Sequence, residues 1–131
     1  MVRLFGVAGA LVGGAAVALG AFAAHGLKAR LDAAMLQTFE TGVRYQLAHA
    51  LALLAVAWAA SLGGGTAARV AGLAFLGGVL FFSCSLYGLA LGGPRWLGPV
   101  TPIGGVLFLV GWAALAVALW NVGGAGSGQV R

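Results

Sequence analysis

The chain has 131 residues, 62% of them hydrophobic and 7% charged, with a formal net charge of +5. Soluble domains are about 25% charged, and seven basic plus two acidic residues do not cover a water-soluble surface of this length. The composition therefore excludes a soluble globular protein and specifies an integral membrane protein of one domain.

Spanning a hydrocarbon core takes about 20 apolar residues in a helix. The first predicted element is the uncharged run over residues 4–24, LFGVAGALVGGAAVALGAFAA. Ala21-Phe22-Ala23 has the small-x-small form of a signal-peptidase site, but the apolar run is longer than a signal core, so it reads as a retained span. Leu27, Leu31, Met35 and Phe39 then recur every fourth residue, with Lys28, Arg30, Asp32 and Gln37 elsewhere. That pattern predicts a short interfacial amphipathic helix over residues 27–40; the alternative is that the segment extends the second span into water.

A second span is expected over 45–62, a third over 70–91 and a fourth over 102–121. The turns GGGTAAR and GGPRWLGPVTP separate them, because glycine and proline break helices. Thr101 before Pro102 suits a helix start, with the hydroxyl as cap. Residues 1–122 form one membrane domain on this reading, and the tail 123–131, GGAGSGQVR, is polar and flexible. The predicted fold is thus all-α: a four-helix bundle in the membrane with one interfacial helix.

The basic residues Arg3, Lys28, Arg30, Arg44, Arg69, Arg95 and Arg131 stand singly. No basic stripe exists, which argues against nucleic acid and for contact with the lipid bilayer. Three of them fall on one side of the membrane and four on the other, so charge sets no orientation. Gly9 and Gly13 in the first span, Gly78 in the third, and Gly104, Gly105 and Gly111 in the fourth are candidates for close helix packing.

Polar side chains gather where the spans meet one membrane face: His25, Glu40, Arg44, Tyr45, His49, Ser83, Ser85, Tyr87 and Thr101. Glu40 and Arg44 are four apart, so an ion pair is expected. The set contains no complete catalytic constellation, and neither serine has a Gly-x-Ser-x-Gly setting. Two histidines at unequal depth do not suit haem, and no His-x-x-x-His spacing offers a metal site. The single cysteine, Cys84, excludes an intrachain disulfide and a Cys-x-x-Cys motif. No cofactor and no metal is expected.

The ordered stretches AFAAHGLK, FETGVRYQLAHALALL, SLYGLALGG and LGPVTPIGGVLFLVGW resemble the small four-span membrane proteins typified by bacterial YgdD and YwdK, a family with a eukaryotic transmembrane relative. The likeness runs from about Gly9 to Trp112. It implies a four-span protein of the bacterial inner membrane and brings no activity with it. The family's pattern maps onto His25, Gly26, Glu40, Thr41, Arg44, Tyr45, His49, Ser83, Ser85, Leu86, Tyr87, Thr101, Pro102, Gly104, Gly105, Gly111 and Trp112. Cys84 departs from it, standing where the resemblance implies a small residue such as glycine.

The sequence reads most directly as a multi-pass protein without catalysis of its own, a structural or accessory part of a homo-oligomer or larger membrane complex. The alternative is a small transporter or channel for protons, ions or a small solute that uses Glu40, Arg44 and His49.

Overall fold

The computed structural model describes residues 1–126. Its helices are α1 (Val2–Phe22), α2 (Ala33–Ser61), α3 (Gly65–Gly78), α4 (Cys84–Ala90) and α5 (Leu97–Gly126). A π turn over Ala23–Leu27 prolongs α1, and a second over Val79–Ser83 joins α3 to α4 as one rod. Among the described residues, four helical stretches are therefore long and apolar enough to cross a membrane: Val2–Leu27, Ala33–Ser61, Gly65–Ala90 and Leu97–Gly124.

The segment expected as a separate interfacial helix is not one. Residues 28–32 are turn, and the chain from Ala33 runs unbroken into the second span. The reason is Asp32, whose extended backbone and carboxylate cap the new helix by accepting from the Met35 amide at 2.8 Å. The amphipathic pattern is still used: Leu27 and Phe39 are buried with Ala23 and Ala90 in a small core at this end of the bundle, while Met35 stays exposed.

The fourth span also begins earlier than expected. α5 starts at Leu97, so Thr101 is inside the helix and does not cap it. Its hydroxyl turns back to the Leu97 carbonyl at 3.2 Å. Pro102 removes one intrahelical donor, near enough to the start for the helix to continue. At the other end, residues 123–126 of the expected flexible tail prolong α5 as helix, since propagation adds one backbone bond per residue. The remaining tail residues, 127–131, lie outside the described residues.

α2 is the centre of the bundle. α1 packs along one side of it, and the α3–α4 rod pairs with α5 on the other. The main core is formed by Phe5, Leu53, Val56, Phe75, Phe108 and Leu115 with small alanines between them. Lipid gives helices no hydrophobic reason to associate, so close backbone approach supplies the contact. At Gly9 an added Cβ would meet the Ala50 carbonyl at 3.0 Å, and at Gly104 it would strike the Phe82 backbone. Gly78 and Gly111 receive the rings of Phe108 and Phe75. Gly13 and Gly105, also expected to be packing glycines, have room for a methyl group, with nearest neighbours at 3.5 and 3.9 Å.

Candidate functional site

The polar residues of the bundle interior form three interhelical links. The first runs across α1, α2 and α4. Gln46 is buried, and its Nε2 donates to the Val12 carbonyl at 2.9 Å. Its Oε1 accepts from the Tyr87 hydroxyl at 2.7 Å. One side chain thus joins three helices, using its amide as donor on one side and acceptor on the other. One turn earlier on α2, the Gly42 carbonyl accepts from Ser83 Oγ at 2.8 Å. Gly42 leaves space for this approach, since a Cβ there would lie 2.7 Å from the Tyr87 ring.

The second link joins α4 to α5. Ser85 Oγ and Thr101 Oγ1 are 2.6 Å apart. Ser85 also faces the Phe82 carbonyl at 2.9 Å, as Thr101 faces that of Leu97. Two hydroxyl protons serve three contacts, so either hydroxyl donates to the other while that one donates to its own helix.

The third link centres on His49. Trp112 Nε1–H donates to His49 Nε2 at 3.1 Å. Nε2 is therefore the unprotonated nitrogen, and Nδ1–H donates to the Tyr45 carbonyl 2.6 Å away. The ring lies flat on Phe108, with centroids 3.5 Å apart and planes 6° from parallel, and Phe75 and Trp112 close its edges. His49 is a neutral, packed imidazole with both nitrogens engaged. One edge of it, with Tyr45, Phe82, Pro102, Phe108 and Trp112, lines a shallow groove of about 480 Å³ on the outer surface. Among the described residues, no buried side-chain nitrogen or oxygen lacks a partner.

The remaining predicted residues do not join these links. Helical geometry turns about 100° per residue, so Glu40 and His49, nine apart, project about 180° from each other around α2. Glu40 and Arg44 are exposed on the outer face, and His25 is exposed at the end of the first span. The expected Glu40–Arg44 ion pair is not made: Arg44 Nη2 donates to Thr41 Oγ1 at 3.2 Å instead. Thr41 is held in place by its own bond to the Gln37 carbonyl at 2.9 Å. Among the described residues, no group of three or more His, Cys, Asp or Glu side chains is placed to hold a metal ion.

Comparison with known proteins identifies the family. Residues 19–105 match the model described as protein of unknown function DUF423. The chain belongs to the DUF423 family. It is similar to a UPF0382 membrane protein of Haemophilus influenzae, at 50% identity over 82% of this chain and 86% of that one. A UPF0382 membrane protein of Staphylococcus saprophyticus is 43% identical over 92% and 99%. The UPF0382 membrane protein YwdK of Bacillus subtilis is 41% identical over 88% and 95%. No solved structure matches the chain. The DUF423 match includes Gln46, His49, Ser83, Ser85, Tyr87 and Thr101, while Val12 and Trp112, their partners on α1 and α5, fall outside it.

Proposed function

We propose that this protein is a structural or accessory component of a bacterial inner-membrane assembly, as a homo-oligomer or beside another membrane protein, without catalytic turnover of its own. The observation that carries the reading is the Val12–Gln46–Tyr87 link, in which the interior polar groups tie helices to one another. Polar side chains inside a membrane commonly mark an ion or substrate path. Here Gln46, His49, Ser83 and Ser85 are each hydrogen-bonded to protein partners. Glu40 and Arg44 point away from them, which separates the residues a proton or ion path would need to combine.

Extraction in native lipid particles tests the proposal. The expected result is a particle of fixed stoichiometry containing more than one copy of the chain, or one copy with a defined partner. Recovery as a single chain that turns over a substrate or carries an ion flux in liposomes overturns it.

A further inference from the structure

The outer face of α2 carries a regular seam. Glu40, Arg44, Leu47, Leu51, Leu54 and Trp58 follow one another at spacings of four, three, four, three and four. This is the heptad spacing that keeps one helix face turned toward a partner helix through a left-handed crossing. Every residue on it is exposed, with Leu51 at 61% and Trp58 at 58%. α1 lies on the side of α2 marked by Gly9 and Gly13 against Ala50, and α3 and α5 lie on the side marked by His49. The seam falls on the side turned away from both, and among the described residues only its Leu54 edge, set against Gly9 of α1, touches another element.

The head of the seam is charged in a self-complementary way. The Glu40 carboxylate has no hydrogen-bond or ion-pair partner among the described residues. Arg44 uses a single bond, to Thr41, and a guanidinium has five donors. Acyl chains offer nothing to a carboxylate or a guanidinium. A second copy offers both: across a twofold axis along the membrane normal, where each residue stands level with its own copy, Glu40 would reach one turn along to the partner's Arg44 and Arg44 one turn back to the partner's Glu40. An isologous contact satisfies each charge twice with one surface.

We infer that the Glu40–Trp58 face of α2 is a homodimer interface, with the four apolar residues interlocking in the membrane and the two reciprocal ion pairs at its end. This rests on the assembly reading above and names its partner as a second copy of this chain.

The test uses single cysteines in intact membranes, in a full-length Cys84→Ser background. Cysteines at Leu47, Leu51 and Leu54 are expected to form intermolecular disulfides on mild oxidation. Cysteines at Val7 on α1 and Leu109 on α5, both exposed elsewhere on the bundle, are not. A second measurement uses charge. Glu40→Arg and Arg44→Glu, each expressed alone with two tags, should lower co-capture by about tenfold, since two pairs are replaced by like charges. Co-expression of the two variants should restore capture, because the mixed dimer regains both opposite-charge contacts. Seam cysteines that link no faster than the two controls, or capture that is not restored in the mixture, overturn the inference. If the seam fails while the chain is held with a different protein, the assembly reading survives. If the native particle holds one copy alone, both fall.

Discussion

Gln46→Leu removes the one side chain that, among the described residues, bonds to two other helices. Val12 keeps the backbone bond of its own helix, so losing the Gln46 amide costs little on α1. The Tyr87 hydroxyl loses Gln46 Oε1, its acceptor at 2.7 Å. A buried donor left without a partner costs about 1–3 kcal/mol, and interhelical bonds in membranes average about 0.6 and reach about 1.7 kcal/mol. Gln46→Leu should therefore destabilise the fold by about 1–2 kcal/mol. Tyr87→Phe should cost a similar amount, because its ring stays packed 4.7 Å from Phe39 while Gln46 Oε1 is orphaned. The double variant leaves neither group unpaired, so the cycle should show a favourable coupling of about 1 kcal/mol. Equilibrium unfolding in mixed micelles or by steric trapping in bilayers measures all four corners. Strictly additive losses, or a Gln46→Leu cost no larger than that of the exposed Leu51→Ala, would refute the claim that this bond ties the helices together.

Gly104→Ala should destabilise by about 1–3 kcal/mol, because the methyl meets the Phe82 backbone, whereas its neighbour Gly105→Ala should be neutral or mildly stabilising; the same unfolding assay compares them. Asp32→Ala should cost about 1 kcal/mol through loss of the α2 cap, read as fraying of the amides after residue 32 by hydrogen exchange. Nitrogen-15 NMR of the imidazole should find His49 as the Nδ1–H tautomer, and Trp112→Phe should shift the Nε2 resonance; an Nε2–H tautomer contradicts the assigned bonds.

Charge scarcity and four apolar runs make the membrane class and the span count legible in the sequence, because nothing but a bilayer accommodates them. The limits of the helices are less legible. Two helix starts differ from the local signals: Asp32, not the membrane boundary, starts α2, and Leu97, not Thr101, starts α5. The glycines show the same limit. Small-residue spacing selects Gly9 and Gly13 equally, yet only the first touches a backbone, since register decides which glycine lies at the crossing.

Within the candidate site, Ser83, Ser85, Tyr87, Thr101 and His49 do take part in interhelical bonds. Gln46, which bonds to two other helices, is absent from the expected polar set although it is a polar side chain inside an apolar run. That isolation is itself the available signal. Trp112 was equally visible, placed well inside the fourth apolar run and away from the interface belt that usually holds tryptophan. The opposition of Glu40 and His49 could also be read from their spacing, since nine residues make two and a half turns, with about 3.6 residues to a turn. What spacing does not reveal is that Arg44 would turn to Thr41, a choice between two neighbours equally near along the helix.

The central claim is that the polar links are dry ties between helices and not the wall of a solute path. Ser83 is fully buried, bonds to the Gly42 carbonyl and lies one turn from Tyr87. A Ser83→Cys variant in a Cys84→Ser background, treated in intact membranes with a membrane-impermeant maleimide from each side in turn, measures whether water reaches that position. The account predicts no labelling from either side until the protein is denatured; rapid labelling from one side would contradict it.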